Sequence, residues 1–216
     1  MSHSIQHHLS EELLFGYSAG TLPEAFNLMV AAHISICDHC RAIVESYDAL
    51  GGALVETAPD APVAVGGDAL SAVLNRISEP AKPAAPRRSK GVLPSPLQDY
   101  VGGDLESIRW RPVGMGVRQA ILTAGASGSA RLLYIPAGTA IPDHGHRGTE
   151  LTMVLQGAFL DEDEYFARGD VETADEHVEH TPIADVGADC ICLAVTDAPL
   201  RFRKLVPRLL QPLLRI

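Results

Sequence analysis

The sequence predicts a two-part α + β chain, a small helical zinc-binding bundle followed by an antiparallel β-sandwich or barrel. Three observations predict it. Residues 33–40 read His-Ile-Ser-Ile-Cys-Asp-His-Cys, an HxxxCxxC pattern with His7 and His8 upstream. Two thiolates and two imidazoles make a complete tetrahedral zinc set. Residues 79–96, EPAKPAAPRRSKGVLPSP, carry five prolines and a basic patch and read as a semi-rigid exposed linker. From about residue 97 the texture changes to short β-type runs broken by Gly, Pro and Asp, the pattern of an antiparallel sandwich or barrel. The expected division is 1–80, 81–96 and 97–216.

Each helix has its own start and stop signals. Ser10 is placed to cap a helix with Glu11 and Glu12 in its first turn, favourable against the dipole, and Gly20 as its stop. Thr21-Leu-Pro-Glu24 has the spacing of a capping box, with Pro23 in the first turn. The helix that follows carries Phe26, Met29, Val30 and His33 on one face. Cys37 comes one turn later. Asp38 is placed to cap a third helix through Ile43, Val44, Tyr47 and Leu50, with Gly51-Gly52 ending it. Asp68 is placed to cap a fourth, whose stripe Leu70, Val73, Leu74 and Ile77 needs a cover, either the first helices or a partner. The expected strands are 108–111, 117–123, 131–135, 150–155, 190–195 and 200–202. The terminal RFRKLVPRLLQPLLRI is read as packing over the β-part, since Pro207 and Pro212 interrupt any membrane-surface helix.

The chain of 216 residues is 46% hydrophobic and 20% charged, as an ordinary folded protein is. Its start lacks a basic segment followed by an apolar core, and no apolar run approaches the roughly 18 residues a span requires. The expected localisation is therefore cytoplasmic, with no membrane partner. The four cysteines fall in a CxxC and a CxC pair, which in a reducing compartment indicates metal or redox chemistry rather than a disulfide framework. Net charge is −10, and residues 1–60 hold eight acids against Arg41 alone. That sign argues against direct nucleic-acid binding and favours a basic protein partner.

Cys37 and Cys40 span a helix–helix corner, and His33 points to the same corner, so one metal can pin it. His7 or His8 supplies the fourth ligand, and His39 points elsewhere. The ion supplies stability that a module of about sixty residues lacks. His8, Leu22-Pro23-Glu24-Ala25 and His33-xxx-Cys37-xx-Cys40-Arg41 together resemble the zinc-binding anti-sigma domain, over roughly residues 5–80. That resemblance implies His8, His33, Cys37 and Cys40 as the zinc ligands and a sigma-binding surface that includes the Leu70/Val73/Leu74/Ile77 helix.

Gly138-TAIPD-His144-Gly-His146-RGT-Glu150-LTMVLQ-Gly157 matches the first cupin motif at every specified position. His144 and His146, two apart on a strand, share one side, and Glu150 comes in from the next strand. His177 and His180 are candidates for a further ligand, and His180 is preferred because it precedes Thr181-Pro182 on an apparent strand. Arg168-Gly169-Asp170 resembles the PxGD turn of the second cupin motif, without its proline. The expected cupin metal site is His144, His146, Glu150 and His180, holding zinc or another divalent transition metal. Cys190 and Cys192 share a strand face, and packing and a site-facing redox pair are the two readings they allow.

A zinc anti-sigma domain joined to a cupin barrel of the jelly-roll type resembles the ChrR anti-sigma factor family over essentially the whole chain. The resemblance implies a non-enzymatic regulator: an anti-sigma factor that sequesters an extracytoplasmic-function sigma factor and releases it under oxidative stress, by singlet oxygen or organic hydroperoxide. The alternative is a metal-dependent cupin enzyme, of dioxygenase or isomerase type, with a helical zinc docking module.

Overall fold

The computed structural model describes residues 4–58, 66–78, 91–145 and 147–198, with the backbone of 201–202. The C-terminal segment 203–216, most of the expected linker and His146 lie outside the described residues. Helix α1 (Glu11–Ser18) is capped by Ser10, whose hydroxyl accepts from the Leu13 amide, and Gly20 leaves it at φ +66°. Helix α2 (Glu24–Ile34) starts at Pro23 with no side-chain cap. The expected capping box does not form, because the Thr21 hydroxyl donates to the Gly16 carbonyl, back toward α1.

Helix α3 (Asp38–Thr57) departs from expectation at both ends. Its N-cap is Cys37, whose sulfur accepts from the Cys40 amide, while Asp38 pairs with Arg41. It also runs through Gly51-Gly52, since neither glycine takes a positive φ, and a glycine inside a helix costs about 1 kcal/mol without breaking it. Helix α4 (Ala69–Ser78) buries none of its residues. A short α5 (Ser95–Val101) was not expected: the prolines of the linker reading sit at its start, where a missing N–H is tolerated. Leu93 is buried, and the amides of Val92 and Leu93 both donate to Asp104 at 2.9 Å. Residues 91–96 are therefore packed rather than exposed linker.

After a 3-10 turn at Leu105–Ser107 come, among the described residues, twelve strands: β1 (Arg111–Gly114), β2 (Val117–Gly125), β3 (Gly128–Ile135), β4 (His144–Gly145), β5 (Glu150–Gln156), β6 (Ala158–Asp161), β7 (Glu164–Ala167), β8 (Val171–Ala174), β9 (Glu179–His180), β10 (Ile183–Ala184), β11 (Cys190–Thr196) and β12 (Arg201–Phe202). They form a six-stranded sheet, β1-β2-β3-β11-β5-β8, faced by two three-stranded sheets, β10-β6-β7 and β12-β4-β9. The pairing does not close into one barrel, so the expected barrel is a sandwich. Among the described residues the layers share no continuous ladder.

The large sheet has two buried faces, and the period of two along its central strands divides them. In β11, Ile191, Leu193 and Val195 face the helices, in one core with Leu14, Phe26, Met29 and Val30. Cys190 and Cys192 face the other way, in a second core with Val154, Phe159 and Phe166. Leu151, Met153 and Leu155 of β5 join the first core and Val154 the second. Helices, large sheet and small sheets thus stack as three layers, and the helical part is continuous with the β-part through one apolar core.

Candidate metal centres

The first centre is built where three backbone segments meet. Helix α2 ends by placing His33, fully buried, beside the two-residue turn to Cys37, and the first turn of α3 brings Cys40 back over it. The extended segment ahead of Ser10 lays His8 against both sulfurs. His33 Nε2 is 3.3 Å from Cys40 Sγ, and His8 Nδ1 is 3.4 Å from Cys37 Sγ and 3.6 Å from Cys40 Sγ. All four donor atoms lie within 4.8 Å of one another. A tetrahedron with metal–nitrogen bonds of about 2.0 Å and metal–sulfur bonds of about 2.3 Å has N···S edges of about 3.5 Å. The observed separations are those edges.

The electrostatics point the same way. Burial, then the neighbouring His8, lowers the pKa of His33 to about 4, against smaller opposing pulls from the Gly169 backbone and Asp170, so its imidazole is neutral and able to ligate. Burial, then Cys37, raises the Cys40 thiol to about 12. Two sulfurs so placed are costly as thiolates unless a cation lies between them, and a divalent ion removes that cost. His7 is turned away, its ring against Phe166 and its Nδ1 4.0 Å from Glu164, and His39 is exposed. The set brought together is His8, His33, Cys37 and Cys40.

The second centre lies between the sheets. His144 on β4 and His180 on β9 are register partners, both buried, with ring centroids 4.7 Å apart. The Pro142 carbonyl is 3.0 Å from His144 Nδ1, and a carbonyl only accepts, so Nδ1 carries the proton and Nε2 is the nitrogen that could hold a metal. At His180 the Nδ1 faces Asp161 Oδ2 at 2.7 Å and Glu172 Oε1 at 3.5 Å. Burial pulls its pKa down, but Glu172 and Asp161 outweigh this and raise it to about 9.

Glu150, at the start of β5, is the third described member of the expected set. Burial raises its pKa to about 7, against the lowering pulls of Arg131 and His180. Glu172 is raised as well, first by burial. Asp161 and Glu172 were not found from the sequence. They come from β6 and β8, and with His180 they form a second set of donors within 4.8 Å. Asp161 Oδ1 is buried without a hydrogen-bond partner, which suits a region where a cation completes the charge balance. His177 is exposed in the turn before β9, so of the two histidines weighed it is His180 that enters the cluster. Cys190 and Cys192 face the second core with sulfurs 3.4 Å apart, and the Cys190 contact, with burial, raises the Cys192 thiol.

Among the described residues no helix is long and apolar enough to cross a membrane. Residues 98–199 match the family described as the ChrR cupin-like domain. Over 214 residues the chain is 55% identical to the anti-sigma-E factor ChrR of Cereibacter sphaeroides, covering 99% of this chain and 100% of that protein. A crystal structure of Rhodobacter sphaeroides SigE in complex with the anti-sigma ChrR matches with TM-score 0.75 and 54% identity, over 90% of this chain and 100% of that one.

Proposed function

The chain belongs to the ChrR anti-sigma factor family, and from that premise we propose that it is an anti-sigma factor that binds and masks an extracytoplasmic-function sigma factor. The observation that carries the reading is the full-length similarity to a protein whose solved structure is a complex with its sigma factor. Its output is binding rather than turnover. The helical part, 1–80, is the sigma-binding unit and 97–216 is the cupin unit, with the linker between them shortened to 81–90 because 91–96 pack.

The sigma-binding surface includes α4. Its stripe Leu70, Val73, Leu74 and Ile77 is 52–73% exposed, and α3 adds Leu50, Leu54 and Val55. A run of this kind on a water-soluble helix marks an interaction face. The acidic balance of residues 1–60 complements a basic protein that binds DNA.

His8, His33, Cys37 and Cys40 would hold zinc, which supplies a structural cross-link between the N-terminal segment, α2 and α3. His144, His146, Glu150 and His180 would hold zinc or another divalent transition metal, with His144 and His180 oriented by their outer hydrogen bonds. The cupin unit receives the oxidative signal that ends sigma binding, and the complex resides in the cytoplasm. Transcription by polymerase carrying the cognate sigma factor, with the chain added and an organic hydroperoxide then supplied, tests both halves. The reading requires repression on addition and recovery with the oxidant; repression that never occurs contradicts it.

A further inference from the structure

The turn Arg168-Gly169-Asp170 joins β7 to β8 and belongs to neither donor set, yet it is built against the first one. Asp170 is fully buried. Its Oδ2 accepts from the Ala167 amide at 2.9 Å, which closes the turn. Its Oδ1 accepts from the amides of Gln6 at 2.6 Å and His7 at 3.0 Å. The Val171 amide donates in return to the His7 carbonyl at 3.1 Å. The backbone that enters His8 is therefore laced to the β-unit at Gln6 and His7.

Gly169 shows the same closeness from the other side. It holds φ +95°, and a Cβ there would stand 2.6 Å from Ile5 Cδ1 and 3.6 Å from Ile36 Cδ1. The turn is thus seated between the segment ahead of His8 and the loop that separates His33 from Cys37. Arg168 lines one cleft with His8, Cys37 and His39. Two residues beyond Asp170, Glu172 reaches His180 of the second centre, so one strand and its turn touch both.

We propose that Asp170 is a positioning residue for the first metal centre, holding residues 6 and 7 so that His8 meets the two sulfurs, and that the β-unit thereby completes a centre whose other ligands are helical. The inference rests on the reading of His8, His33, Cys37 and Cys40 as metal ligands. A ligand on an untethered N-terminal segment must be ordered each time the ion binds, and the lacing supplies that order beforehand.

The test uses the full chain loaded with Co²⁺. A thiolate-to-cobalt charge-transfer band reports only a centre with sulfur ligands, whereas the second centre offers nitrogen and oxygen. Competition against a chelator then measures affinity at the first centre. Asp170→Ala is expected to weaken it by about tenfold or more, the usual effect of losing an outer-shell partner. Asp170→Asn keeps the Oδ1 acceptor and should lose less. Gln6→Pro removes one N-terminal donor while the Ala167 bond keeps the turn closed, and should also weaken the band's affinity with the thermal transition of the metal-free chain unchanged. If Asp170→Ala does not fold, Gln6→Pro decides. Wild-type affinity in the folded variants overturns the proposal. A wild-type chain with no thiolate band contradicts the metal reading itself, a different result from variants that bind as wild type does.

Discussion

His33 and Cys40 show how the first centre could hold an ion. The imidazole is held neutral and the thiol protonated by the same burial, and a cation bound there would offset the cost of forming the thiolate. Cys37→Ser is expected to abolish the thiolate–cobalt band and to lower bound zinc by about one equivalent per chain, as metal analysis would read it. At the second centre Asp161→Asn and Glu172→Gln should each weaken metal binding about 10- to 100-fold, measured by chelator competition, and leave the thiolate band unchanged. The helical donors were legible because HxxxCxxC fixes three of them on one corner. Spacing does not choose between His7 and His8; in the structure the His8 ring meets the two sulfurs while the His7 ring lies against Phe166. Asp161 and Glu172 were illegible because β6 and β8 carry them to His180 only through the stacking of the sheets.

Element by element, periodicity and caps located α1, α2 and the long strands β2, β3, β5 and β11, where apolar alternation is strong. The short β4, β9 and β10 have two residues each, too few to show a period. The end of α3 was misplaced because Gly51-Gly52 resembles a stop signal. In the structure both glycines are helical and a Cβ on either meets nothing within 4 Å. Gly51→Ala and Gly52→Ala should therefore each stabilise the chain by about 0.5–1 kcal/mol in a denaturant titration. On α4, replacing Leu70 and Leu74 with Asp should abolish sigma binding while changing stability by no more than about 0.5 kcal/mol, because neither side chain is part of a core. Binding measured by calorimetry and stability measured by thermal melting separate those two effects.

At the scale of the whole molecule, the two parts anticipated from composition are not independent in packing. Phe26, Met29 and Val30 of α2 lie in one core with Leu132, Leu151 and Leu193 of the large sheet. No local pattern in either part encodes that contact, since an apolar helix stripe and an apolar sheet face each read only as needing a cover. A shared core and the Asp170 bonds join the helical part to the β-part. The most direct test of the regulatory reading is recovery of the chain from its native cell with its protein partners and metal content determined together. A sigma factor recovered with the chain, and lost when the cells are treated with an organic hydroperoxide, is the predicted result. A chain recovered without a sigma factor, carrying an iron-loaded cupin unit that consumes oxygen, would contradict it.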